Sequence, residues 1–171
     1  MQTNLYLLTT IALSFGFSSC GPLSTADLKS EVQEQVDYIS VVVKDVRFSA
    51  GDSNQRQTQL CYAVFAGSDG FPSNPEKVVL KGCKTVTSSV EAFLVEGLPP
   101  SENGYVLSLF QDMNMNGKLD TRAIFGVQVP EEPFGFSQNP PMLGPPSYEK
   151  CKIVPTKNGE RFEIIMRKIG G

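Results

Sequence analysis

From Tyr38 onward the chain is divided into short runs of β-branched and aromatic residues, none long enough to suggest a substantial helix. In the first run Ile39, Val41 and Val43 alternate with Ser40, Val42 and Lys44, the two-residue period of a strand with one buried face. Further runs occupy residues 59–66, 78–87, 91–95, 104–111, 123–129, 148–154 and 160–168. Turn-forming breakers separate them, among them Gly67-Ser68-Asp69-Gly70-Phe71-Pro72, Leu98-Pro99-Pro100 and Pro140-Pro141-Met142-Leu143-Gly144-Pro145-Pro146. Strands this short need a second sheet facing them to bury their apolar sides. The expected fold is therefore all-β: an antiparallel β-sandwich forming one domain over 38–171, with 130–147 as a long surface loop.

The N-terminus has a different texture. Residues 1–19 carry no charged side chain, and the apolar stretch from Leu5 to Phe17 is too short for a bilayer core of about 30 Å. It reads as a signal peptide, although no Lys or Arg precedes it. Phe17-Ser18-Ser19-Cys20-Gly21 resembles a bacterial lipobox with Phe17 in place of the usual Leu. Cys20 would then be diacylated and become the new N-terminus, and two acyl chains suffice for stable attachment to a membrane. Residues 20–37 would be the tether, with Ser24 and Asp27 at capping-box spacing ahead of Leu28, Val32 and Val36. A competing reading is cleavage after Ser24-Thr25-Ala26 to release a soluble exported protein. The expected location is the bacterial cell envelope, as an outer-membrane lipoprotein.

Cysteine usage agrees with export. With Cys20 assigned to lipid, Cys61, Cys83 and Cys151 remain. Cys61 and Cys83 lie in neighbouring β-type runs, where a strand-to-strand disulfide is easy to form; three buried thiols acting as small hydrophobes are the alternative. Fifteen basic against 18 acidic side chains, a net charge of -3, argue against a nucleic-acid partner. The chain has no His, which removes Ser-His-Asp and Cys-His nucleophile systems and histidine metal ligands.

Asp112-Met113-Asn114-Met115-Asn116-Gly117-Lys118-Leu119-Asp120 places oxygen-bearing side chains at positions 1, 3, 5 and 9 of a loop whose sixth residue is Gly. Calcium takes six to eight oxygens, and a tight loop can supply alternate side chains plus one carbonyl. Asp112, Asn114, Asn116, Asp120 and the Lys118 carbonyl are the candidate ligands. An EF-hand is excluded because position 12 is Ala123 and the preceding segment reads as strand. Glu131 and Glu132 are the nearest acids able to complete the set. An Asx-rich turn stabilised by its own backbone, with no metal, is the competing reading.

The run from Phe110 to Asp120, followed by Phe125-Gly126, Val129-Pro130-Glu131-Glu132, Phe134-Gly135-Phe136-Ser137 and Gly144-Pro145-Pro146-Ser147-Tyr148, resembles the exported bacterial family called domain of unknown function 2141. Cys61-Tyr62-Ala63-Val64-Phe65, Gly70-Phe71-Pro72 and Gly97-Leu98-Pro99-Pro100 extend the resemblance over about 38–168. It implies a transthyretin-like or immunoglobulin-like sandwich and no particular activity. Gln111 stands where that family often has His, which removes any catalytic role for such a His, and Arg122-Ala123-Ile124 is an insertion before Phe125-Gly126.

Tyr105 sits where sandwich folds anchor a corner through a tyrosine hydroxyl. Phe134, Phe136 and Tyr148 either form an exposed platform for sugar or peptide or fold the loop back onto the sandwich. The functional expectation is a non-enzymatic, calcium-stabilised module, bound to the membrane through its lipid and meeting an envelope or extracellular protein or glycan. A carbohydrate-binding module or a weak glycoside hydrolase using carboxylates such as Asp112, Asp120, Glu131 and Glu132 is the alternative.

Overall fold

The computed structural model describes residues 35–48, 57–141 and 144–169. The signal peptide, Cys20 and most of the tether, with its expected helix, lie outside the described residues. The described residues form nine strands, one short α-helix and a 3-10 turn at Pro75–Lys77: β1 (Tyr38–Lys44), β2 (Gln59–Phe65), β3 (Leu80–Thr85), β4 (Glu91–Glu96), β5 (Val106–Asp112), β6 (Thr121–Ile124), β7 (Val127–Pro130), β8 (Phe134–Phe136), α1 (Tyr148–Cys151) and β9 (Glu160–Ile165). They form a β-sandwich with a three-stranded sheet, β4-β1-β9, and a four-stranded sheet, β3-β2-β5-β8. Among the described residues β6 and β7 pair only with each other, as a separate hairpin. Neighbours in the two large sheets are antiparallel except β1 and β9, which run parallel from Ile39↔Glu160 to Lys44↔Ile165.

Alternation decides what each sheet buries. Ile39, Val41 and Val43 of β1 meet Leu60 and Val64 of β2, Val95 of β4, Leu107 and Leu109 of β5 and Ile164 of β9 between the sheets, all nearly or fully buried. The other face of the four-stranded sheet has its own cover. There Phe65, Val106, Phe134, Phe136, Tyr148 and Cys151 form a second core. Phe71 sits among them edge-to-face, its ring 5.3 Å from Phe65, 5.7 Å from Phe136 and 6.1 Å from Tyr148. The aromatic residues of the Pro-rich segment are therefore packing groups, and the exposed platform expected as one alternative is overturned: Phe134, Phe136 and Tyr148 are 4%, 9% and 6% exposed.

Three local expectations change. Residues 148–154 are not a strand: after Pro145-Pro146 the chain makes a single helical turn, which brings Tyr148 and Cys151 to the same apolar face. The run 123–129 is a hairpin, because Phe125 and Gly126 both take positive φ, 50° and 80°, and reverse the chain between β6 and β7. The segment 130–147 contains β8, whose Phe134 exchanges backbone hydrogen bonds with Arg167 at 2.8 Å. Beside it Asn139 accepts from the Ile165 N–H at 2.7 Å and donates to the Glu163 carbonyl at 2.9 Å, covering part of the β9 edge.

The sandwich has two ends. Chain entry at Asp37 and Tyr38 is fixed by Asn158, whose Oδ1 accepts from both backbone N–H groups, and by the Leu98 N–H bonded to the Asp37 carbonyl. Tyr105 donates its hydroxyl to the Pro99 carbonyl at this end, as the corner expectation required. At the opposite end Gln111, fully buried, accepts from the Arg47 N–H and donates to the Arg47 carbonyl and the Thr58 hydroxyl, at 2.8–2.9 Å. This amide ties the exit of β1 to the end of β5, immediately before the Asp112 loop.

Candidate functional site: the Asp112–Asp120 loop

Asp112 ends β5 with its side chain fully buried. One carboxylate oxygen accepts from the Asn116 N–H at 3.1 Å; the other accepts from the Gly117 N–H at 2.7 Å and the Gln59 amide at 2.9 Å. Burial pushes its pKa up, but the hydrogen bonds from Gln59 and from the backbone of Gly117, Asn116 and Met115 outweigh it and hold the group below the ordinary aspartate value. Asp112 is thus an ionised hub around which the loop turns. Gly117 makes the turn at φ 75°, a conformation glycine adopts without the steric cost of a side chain.

The remaining side chains converge on Asp120. Asn114 donates to its carboxylate at 2.6 Å and Asn116 at 3.1 Å. The same two residues make Asx turns, Asn114 Oδ1 accepting from the Asn116 N–H at 3.1 Å and Asn116 Oδ1 from the Lys118 N–H at 2.7 Å. Asp112, Asn114, Asn116 and Asp120 are therefore joined in one network, which Lys118 enters through its backbone.

The two glutamates divide. Glu132 is buried, and its carboxylate accepts from the Met113 N–H at 2.7 Å and the Asp120 N–H at 3.1 Å, clasping both ends of the loop. Glu131 donates its N–H to the Asp120 carbonyl at 2.9 Å and keeps an exposed side chain. Among the described residues no three His, Cys, Asp or Glu side chains form a metal-ready group. A cation here would need amide and carbonyl oxygens beside Asp112 and Asp120. Such an all-oxygen set suits a hard ion such as calcium and is unsuited to soft metals.

Gln59, Gln111 and Thr58 support this end of the molecule without having been apparent from spacing. Gln59 becomes a partner of Asp112 only through strand pairing, since the two stand opposite each other in the β2–β5 register. The inward alternation of Leu107, Leu109 and Gln111 was the available signal for Gln111.

Cys61 and Cys83 are directly opposed in β2 and β3 and form a disulfide. Cys151 is unpaired and fully buried, and desolvation pushes its thiol pKa up to about 11, far from the reactive range.

A two-sheet sandwich with an Asx-rich loop braced at one end is the class of protein defined by these features. Residues 50–162 match the family model described as "Uncharacterized protein conserved in bacteria", domain of unknown function 2141, and the chain belongs to that family. Comparison with curated proteins and with solved structures finds no match. Among the described residues no helix is long and apolar enough to cross a membrane.

Proposed function

We propose that this is a non-enzymatic envelope lipoprotein in which calcium on the Asp112–Asp120 loop stiffens a β-sandwich that serves as a binding or structural module. The observation carrying the calcium reading is the convergence of Asp112, Asn114, Asn116 and Asp120 in one loop. Asp112, Asn114, Asn116, Asp120 and the Lys118 carbonyl would hold the ion. Glu131, whose side chain is exposed, and Glu132, whose carboxylate accepts from the Met113 and Asp120 N–H groups, are the nearest further acids to complete the set. Bound calcium would supply charge and cross-linking, and no chemical step.

The non-enzymatic part is supported by how the acids are used. Asp112 and Glu132 are committed to backbone N–H groups, and Asp120 faces two amides, a poor arrangement for the acid and base of a glycosidase. The lipid anchor rests on the apolar start and Cys20. A metal-free Asx turn remains the second reading, favoured by the two side-chain-to-backbone bonds of Asn114 and Asn116.

Calorimetric titration of the chain with calcium tests the site. Two formal charges and mostly neutral donors predict a dissociation constant on the order of 0.1–1 mM, and Asp120→Ala should abolish the binding heat. Absence of binding heat in the parent at millimolar calcium, after chelation and dialysis, would support the turn reading. Cys20→Ala tests the anchor independently: the protein should leave the membrane fraction or fail to be processed, whereas unchanged partitioning into detergent would refute lipidation.

A further inference from the structure

Neither strand of the β6–β7 hairpin has a buried residue. Its strands pair Thr121↔Pro130, Arg122↔Val129, Ala123↔Gln128 and Ile124↔Val127, so Arg122, Ile124, Val127 and Val129 share one face. Thr121 and Gln128 are hydrogen-bonded to each other on the other face. At the apex Phe125 is 104% exposed and holds φ 50°, and Val127 beside it is 59% exposed. A bulky aromatic at positive φ is sterically unfavourable, and its full exposure adds a hydration cost. Among the described residues the hydrogen bonds that tie the hairpin down lie at its base, from the Glu131 N–H to the Asp120 carbonyl, from the Asp120 N–H to Glu132 and from Asn114 and Asn116 to the Asp120 carboxylate.

We propose that this hairpin is a wedge that enters the interfacial layer of an anionic lipid bilayer, apex first. The size of the apex argues for this occupant. One phenylalanine and two aliphatic side chains cover at most a few hundred Å², short of the roughly 800 Å² that each partner gives up in a stable protein complex. Shallow insertion into the boundary between headgroups and acyl chains requires no such area. Charge argues the same way: Arg122 lies on the apolar face two residues behind Ile124, about 7 Å back along the strand. With the apex inserted by about 5–10 Å, its guanidinium meets the lipid phosphates. The strand edges limit the depth. Among the described residues neither strand has a second neighbour, so their outward N–H and C=O groups must stay where water or headgroups can bond them. The acids at the base, Asp120 and Glu131, remain several residues behind the apex.

This inference does not depend on calcium occupancy, nor on lipidation of Cys20. The chain contains no Trp, so Phe125→Trp in the full-length protein creates a single optical reporter at the apex. The probe is vesicles of equal parts phosphatidylcholine and phosphatidylglycerol, carrying a brominated acyl chain as quencher. Emission from position 125 should move to shorter wavelength and be quenched, in calcium and in chelator alike. A second reporter, Leu94→Trp in the otherwise unchanged chain, replaces a residue 51% exposed on the β4 edge strand of the three-stranded sheet and should show neither change. Adding Val127→Ser and Arg122→Glu to the reporter protein should lower the quenched fraction about tenfold, as expected when apolar burial and a phosphate contact are lost together. Unquenched, water-like emission at 125 in the presence of vesicles would overturn the proposal. So would quenching equal to that at 94, or a blue shift that appears only with envelope protein and not with lipid.

Discussion

Glu131 and Glu132 are adjacent in sequence and opposite in physical role. Glu132 satisfies two backbone N–H groups from a buried position, so Glu132→Ala leaves both without their acceptor and should cost about 2–4 kcal/mol in urea unfolding. Glu131→Ala removes an exposed side chain and should stay within about 0.5 kcal/mol when calcium is absent. Equal effects would refute the clasp. Glu91 offers a pH test. Its burial raises the pKa, but the Lys84 ammonium and the Thr87 and Ser88 donors outweigh it and hold the group below its ordinary 4.5. A carboxyl with a lower pKa when folded contributes stability that is present above the ordinary value and lost as pH falls through the folded one. Urea midpoints should fall below about pH 4.5 and keep falling, Asp112 joining at more acid pH, and Glu91→Gln should flatten the first part of that decline. An unchanged slope in the variant would contradict this assignment. At this scale the loop's donors were legible, because alternate Asp and Asn around Gly117 are local in sequence. The roles of Gln59, Gln111 and Glu132 were not, since each arises from pairing or approach between separate segments.

Elements follow similar logic. The sandwich was legible from alternation, and Ile39, Val41 and Val43 face the core as their period requires. Boundaries failed where a short apolar run fits more than one geometry. Tyr148 and Cys151, three residues apart, meet on one side of a helical turn, although the sequence of 148–154 alone reads as a strand. β8 was hidden by the Pro- and Gly-rich composition around it, and its place is set by pairing with β5 through Ser108↔Phe136 to Phe110↔Phe134. The parallel β1–β9 pair carries no local signal, because strand direction depends on the route of the chain between the two. The Cys61–Cys83 bridge makes a prediction for the β2–β3 element. It spans 22 residues of sequence, so Cys61→Ala with Cys83→Ala should cost roughly 3 kcal/mol of unfolding free energy in the chain-entropy account. Mass spectrometry of the non-reduced parent should show those two peptides linked and Cys151 unlinked; any bridge that includes Cys151 would contradict the β2–β3 register.

For the whole domain, chain entry at Tyr38 and the Asp112–Asp120 loop occupy opposite ends of the sandwich, joined by the length of β1 and the Gln111 bridge to Arg47. The proposed calcium joins β5 to the β6–β7 hairpin, and its effect should reach the global stability because Asp112 is also tied to β2 through Gln59. Calcium at about 100 times its dissociation constant adds roughly 2.7 kcal/mol when only the folded loop binds it. For a domain of this size that is a rise in Tm of roughly 8 °C. Magnesium should raise it less, because it favours near-octahedral geometry and retains its waters. The most direct measurement is thermal unfolding of the parent in saturating calcium and in excess chelator, with elemental analysis confirming that the chelated sample has lost its ion. The account predicts a higher Tm with calcium and no calcium response in Asp112→Ala. An identical Tm for the parent in both conditions would contradict it.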